Sequence, residues 1–219
     1  MRNLYRLPLE NNNYPIFPSF IFPNIEYFIY LSQFDNIMIE KNETFPKQTL
    51  RNRFYIQSAN GVIMINIPIT KEKLYRQTIS EVKICYKNNW NNKALRAICS
   101  AYGKSPFFEY YEDDFKEFFS NKYEKLFDLN SDILFYFQKQ FKIDTKISIT
   151  DEYLKIDKDL DFRDVFNTQY NSTKTNKKLN FTPYIQCFSD RFGFNENLSA
   201  IDLLFNLGIE SINYIKKYN

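Results

Sequence analysis

The sequence predicts an α/β protein: a Rossmann-like, mixed and partly parallel sheet flanked by helices, with a helical segment in the middle of the chain. Three observations carry that prediction. The first forty residues read strand, helix, strand; Asn60-Gly61 joins two apolar runs as a hairpin turn would; and apolar residues recur at helical spacing from Phe108 to Phe141.

Tyr14 to Pro18 is a short apolar run closed by proline. After Pro23, the residues Ile25, Phe28, Ile29 and Ser32 follow helical spacing to about Phe34, with Asn24 placed to cap the helix. Ile37-Met38-Ile39 then reads as a buried strand ending at Glu40, so the opening is a parallel βαβ unit. Arg53 to Gln57 and Val62 to Ile69 flank the Asn60-Gly61 turn. Residues 71–77 are polar and read as a mobile loop, and Thr78 to Tyr86 as a further strand.

From Trp90 the period lengthens, and Leu95, Ile98, Cys99 and Tyr102 mark a helix stopped by Gly103. Phe108, Tyr111, Phe115, Phe118 and Phe119 form one helical face, continued by Leu126, Leu129, Ile133, Leu134, Phe137 and Phe141 after a break around Asp128. Lys146 to Thr150 is a short strand, and residues 167–180 are the loosest, most polar stretch. A strand near Tyr184-Ile185-Gln186-Cys187 follows. Ser199-Ala200-Ile201-Asp202 matches a capping box, Gly208 closes that helix, and a last helix starts near Ile209.

A chain of 219 residues is long enough to bury a full core. The pattern reads as one domain over residues 1–219: an α/β core at 14–106, a helical segment at 107–142, a polar loop at 167–180, and a C-terminal strand with helices at 181–218. The 23 Phe and 17 Tyr stand beside an excess of Asn, Lys and Ile, which A- and T-rich codons explain, so the aromatics are no nucleic-acid platform. Net charge is only +3, from 29 basic and 26 acidic residues of interspersed sign, which does not suggest a nucleic-acid footprint. Cys85, Cys99 and Cys187 lack partners in sequence and read as reduced core thiols. The first ten residues lack the apolar centre of a signal peptide, and no run approaches the length of about 18 apolar residues that marks a membrane span. A cytoplasmic protein without membrane insertion is expected.

There is no histidine. That removes Ser-His-Asp and Cys-His machinery and His-ligated metal sites, leaving carboxylates, Lys, Arg, Tyr, Cys and backbone groups. With four glycines and no GxGxxG or GxxxxGK[ST], a glycine-rich phosphate cradle is also unavailable. No cofactor or metal is implied, and any anion is left to side chains and helix ends.

The densest candidate is Lys47-Gln48-Thr49-Leu50-Arg51-Asn52-Arg53, downstream of the carboxyl end of the second strand, where open parallel sheets bind ligands. Two Arg forks and one Lys suit a carboxylate or phosphate, and Gln48 and Asn52 fix orientation. The competing reading pairs the arginines with Glu40 and Glu43 or makes them guards of a strand edge. Tyr27 and Glu40 belong to the same mouth. Asp114 is one carboxylate of an acidic helix start, and Asp202 is either a cap or a group facing a pocket; these two are the candidate general bases.

These stretches, in this order, resemble the WbqC-like protein family, in the form found in Bacteroidetes. The resemblance rests on Phe20 to Phe28, Lys47 to Arg53, Asn60-Gly61 with Ile65 to Pro68, Trp90, Ala101-Tyr102, Ser105 to Tyr111, Pro183 to Phe188, Arg191 to Phe194 and Leu198 to Asn206. It covers nearly the whole chain and adds Trp90 and Tyr102 to the candidate substrate-binding residues. It implies a transferase of O-antigen, surface polysaccharide or envelope assembly, acting on an activated anion such as a nucleotide-linked amino sugar or an acyl donor. The family carries histidines before the Lys-Gln motif and shortly after the Trp; here those places read Glu43-Thr44-Phe45-Pro46 and Asn91 to Arg96. That departure favours the alternative, a non-enzymatic binding or scaffold protein of envelope biogenesis.

Overall fold

The computed structural model describes residues 14–70, 77–120, 122–166 and 179–218. The polar loops expected at 71–77 and 167–180 lie, apart from their last residues, outside the described residues.

The opening βαβ unit forms as the pattern predicts. Strand β1 (Ile16–Pro18) leads through helix α1 (Ile25–Leu31) to β2 (Asn36–Glu40), and β1 pairs parallel with β2, Ile16 opposite Met38 and Pro18 opposite Glu40. Asn24 caps α1 by accepting the Tyr27 N–H at 3.3 Å. Strand β5 (Lys146–Ile149) joins the far side of β2, also parallel. This three-stranded sheet is parallel throughout. The antiparallel pairing is confined to a separate hairpin of β3 (Arg53–Ser58) and β4 (Gly61–Asn66), closed by Ala59-Asn60. Gly61 takes φ 99°, which a side chain would strain.

Because β1, β2 and β5 run one way, their carboxyl ends share an edge, and the loops after each strand gather there. Backbone bonds stitch the loops to the rest: Ile21 N–H to the Leu50 carbonyl, Ala200 N–H to Pro23 and Ser199 N–H to Tyr55, at 3.1, 2.8 and 3.0 Å.

Helices α2 (Trp90–Tyr102), α3 (Phe108–Phe118) and α4 (Leu126–Gln140) bring their aromatic faces inward. Phe22 meets Phe119 at 5.6 Å and Phe54 at 4.8 Å, and Phe115 meets Phe205 at 4.7 Å. The aromatic excess is therefore core, each buried ring contributing about 1.5–3 kcal/mol. The helical break lies before Leu126 rather than around Asp128, which sits in the first turn of α4 where the macrodipole favours a carboxylate.

Two expected strands do not form. Thr78 to Tyr86 makes only isolated bridges, because the Glu81 carboxylate accepts the Thr78 N–H and hydroxyl at 2.8 and 2.9 Å and holds a turn there. Residues 184–187 have no strand partner among the described residues; Gln186 instead exchanges side-chain bonds with the Asn195 backbone at 2.9 and 2.8 Å. The short helix α5 (Ser189–Phe192) follows, then α6 (Ala200–Leu207) and α7 (Ser211–Lys216). Ser199 caps α6, but Asp202 does not complete a capping box, since its carboxylate is drawn away from the helix end. Gly208 ends α6 at φ 53°, and a Cβ there would lie 2.5 Å from the Phe107 ring. All three cysteines are free and half-buried rather than in the core. Among the described residues no helix is long and apolar enough to cross a membrane.

Candidate functional site

At the carboxyl edge of the parallel strands the predicted cationic stretch divides by side. Lys47 and Gln48 are exposed, Gln48 with φ 59°, and Arg53 is half-buried. Arg51 is 1 % exposed and Asn52 is buried. The loop therefore turns Lys47, Gln48 and Arg53 outward and Arg51 inward.

Inside, Arg51 grips Glu43 with two parallel bonds, Nε to Oε1 at 2.7 Å and Nη2 to Oε2 at 2.6 Å. Nη2 also donates to the Arg163 carbonyl at 3.2 Å, and the guanidinium lies over the Phe20 ring, 5.5 Å from its centroid. Among the described residues Nη1 has no hydrogen-bond partner. Burial pushes the Glu43 carboxyl above its ordinary range, and Arg51 opposes that shift.

Glu40, fully buried at the end of β2, accepts the Asn42 N–H at 2.8 Å, the Thr150 hydroxyl at 2.7 Å, the Leu154 N–H at 3.3 Å and Arg163 Nη1 at 3.4 Å. Arg163 forks onto Asp161 at 2.8 and 2.6 Å and lies over the Tyr153 ring. Burial works against the charged Asp161, but its bonds from Arg163 hold the carboxyl below its ordinary range. Asn130 crosses from α4 and donates to the Arg51 carbonyl at 2.9 Å. Tyr27 donates to the Pro18 carbonyl at 3.0 Å, and burial pushes its phenol upward against the pull of Arg51. Asn52 donates to Asn66 Oδ1 at 3.1 Å and to the Ile67 carbonyl at 2.9 Å, and Arg53 Nε reaches the same Asn66 oxygen at 3.3 Å.

Glu40 and Arg51 are thus linked through Arg163, with Tyr27 near Arg51, beneath a surface lip of Lys47, Gln48 and Arg53, whereas Asn52 is tied to the hairpin instead. Beside the lip, Phe22, Asn24, Leu50, Phe54, Tyr55, Asn197 and Ser199 enclose a cavity of about 20 Å³, room for one water. Phe22 and Asn197 line it with φ 41° and 57°, two non-glycine residues in the left-handed region where three of the motif stretches cross.

The other candidates lie elsewhere. Asp202 is fully buried; its Oδ2 accepts the Tyr184 hydroxyl at 2.5 Å and Gln186 Nε2 at 2.8 Å. Burial raises this carboxyl, while Tyr184, Gln186 and the Tyr102 hydroxyl oppose the rise. Tyr102 accepts the Gln57 N–H at 3.4 Å, which ties the Asp202 group to β3. Trp90 stacks on Tyr86 at 5.8 Å and is buried at the start of α2. Asp114 is exposed on α3, where it accepts the Tyr136 hydroxyl at 2.9 Å.

Sequence reasoning missed Arg163, Asp161, Asn130, Tyr184 and Gln186. Arg163 and Asp161 lie more than a hundred residues from the motif they support, within a stretch whose only signal is the local Asp-x-Arg spacing. Among the described residues no group of three His, Cys, Asp or Glu side chains is placed to hold a metal.

Comparison with known families identifies the model of the WbqC-like protein family as matching residues 18–214. No curated protein and no solved structure matches the chain.

Proposed function

We propose that this chain, which belongs to the WbqC-like protein family, binds a small anionic activated metabolite at the carboxyl edge of its parallel strands. As a transferase of surface polysaccharide or envelope assembly, it would take a nucleotide-linked amino sugar or an acyl donor, in the cytoplasm of a bacterium of the Bacteroidetes type. The observation that carries this reading is the split of the cationic stretch: Lys47 and Gln48 open to solvent, with Arg53 half-buried at the start of β3 beside them, on a loop anchored from below by the Arg51–Glu43 pair. A lip fixed in this way meets a phosphate or carboxylate with little reorganisation. In this assignment Arg51, Tyr27, Glu40 and Asn52 position the lip, Trp90 and Tyr102 shape the walls behind it, and Asp202 or Asp114 handles the proton.

The second reading, binding without turnover, is favoured by the placement of those two carboxylates. Asp202 is sealed among Tyr184, Gln186 and Tyr102, and Asp114 is held at the surface by Tyr136. A thermal-shift panel of nucleotide sugars and acyl donors tests the common core of both readings. A shift that disappears in Lys47→Ala/Arg53→Ala supports the lip; no shift from any anion sinks it. Mass spectrometry for a transferred group then separates transferase from binder.

A further inference from the structure

We infer that the outer edge of β4 is an interface between two copies of this chain, paired antiparallel about a two-fold axis at Met64. The register of the hairpin decides which backbone groups are free. Ser58 faces Gly61, Ile56 faces Ile63 and Phe54 faces Ile65, and the Ile67 N–H continues the series by donating to the Asn52 carbonyl at 2.8 Å. In an antiparallel pair such hydrogen-bonded positions alternate with outward ones. Val62, Met64 and Asn66 therefore turn their N–H and C=O groups away from β3, and among the described residues none of these groups has a hydrogen bond.

This edge lacks the devices that keep strands apart. Gly61–Asn66 contains no charge and no proline, its six consecutive pairs contain no bulge, and Met64 is 45 % exposed. Farther along the same edge, the chain covers itself: Cys85 N–H donates to the Pro68 carbonyl and Thr70 N–H to the Lys83 carbonyl. The open stretch is confined to 61–66.

A second copy fits it without any other sequence being required. With the axis at Met64, the two Met64 residues exchange a pair of N–H···O bonds, and Val62 exchanges a pair with Asn66 of the second copy at each end. All the outward groups of both copies are then satisfied. No like charges meet across the axis, and the two hairpins become one four-stranded sheet.

The test is sedimentation of the full chain over a range of concentrations, with residue-level hydrogen exchange. A reversible dimer is expected in which the Val62, Met64 and Asn66 amides are protected. Met64→Lys sets two ammonium groups against each other, so dimerisation weakens on the order of tenfold or more and those three amides exchange fast. The Ile63 and Ile65 amides, which face β3, stay protected, and the melting temperature of the monomer confirms folding. Val62→Lys is the second variant, should Met64→Lys fail to fold. A monomer at every concentration overturns the inference, as does a dimer that survives both variants. So does protection of the outward amides in the monomer, or protection that appears only with a different protein bound.

Discussion

Replacing Arg51 by Met removes the cation from a carboxylate that is otherwise sealed in the protein. The Arg51 side chain is 1 % exposed and that of Glu43 9 %, and the two bonds between them are 2.7 and 2.6 Å. Breaking such a pair from one side costs about 3–5 kcal/mol, because the remaining charge is left desolvated. Loss of the bond to the Arg163 carbonyl adds about 1 kcal/mol. For a chain of this size the two together lower the melting temperature by roughly 8–24 °C, at about 2–4 °C per kcal/mol. The companion Arg51→Met/Glu43→Leu removes both charges of the pair and recovers most of the loss, so the cycle measured by urea unfolding shows a coupling of about 2 kcal/mol or more. A single Arg51→Met that costs under about 1 kcal/mol would refute the reasoning, since Arg51 would then be solvated and free to meet a ligand. Ligand shifts in the double variant add a second outcome: retained shifts identify Arg51 as the strap beneath the lip, and lost shifts make it a direct contact.

Asp202 has a folded pKa raised by burial, so its contribution to stability is full below the ordinary carboxylate range and is lost as pH climbs through the raised value. Asp202→Asn should therefore gain on the native chain as pH rises through that window, read by thermal melts from acid to neutral pH; a parallel pair of curves would count against it. Gly208→Ala forces a Cβ to 2.5 Å from the Phe107 ring at φ 53° and should cost about 2–3 kcal/mol in urea unfolding. Asp114→Asn alters only a surface bond to Tyr136 and should change stability by no more than about 0.5 kcal/mol; a loss several times larger would show that this carboxylate bears on the core.

What the sequence revealed and what it hid follow from the range of the interactions. The βαβ opening, the hairpin and helices α2 to α4 were legible because apolar period, the Asn24 cap and the Asn60-Gly61 turn are local signals. Thr78 to Tyr86 misled for a local reason too: Ile79, Val82 and Ile84 look like a strand, yet the Glu81 carboxylate captures the Thr78 backbone and hydroxyl and stabilises a turn that competes with pairing. The Asp202 capping box failed because Tyr184 and Gln186, distant from the helix start in sequence, offer a buried carboxylate two donors, a better environment than one helix end.

The cationic motif shows most sharply where sequence reasoning stops. Its charge density correctly marked the carboxyl edge of the strands, but charge count does not tell which cations face water. The partner of Arg51 stands eight residues away, and the group that fixes its outer nitrogen is the Arg163 carbonyl, on a segment held against β1 by the Ile16–Asp161 bridge. The ion-pair reading therefore describes Arg51, and the anion-binding reading is left to the outer side of the same loop. Arg51 is committed to Glu43, as the ion-pair reading required, while Lys47 and Arg53 remain outside as that reading did not. The Arg forks and the Lys are consequently not equivalent members of a clamp: the Arg51 fork is buried on Glu43, while Lys47 is exposed and Arg53 half-buried. A binding defect in Lys47→Ala/Arg53→Ala with unchanged stability, set against a stability defect in Arg51→Met, would separate those roles within seven residues of chain.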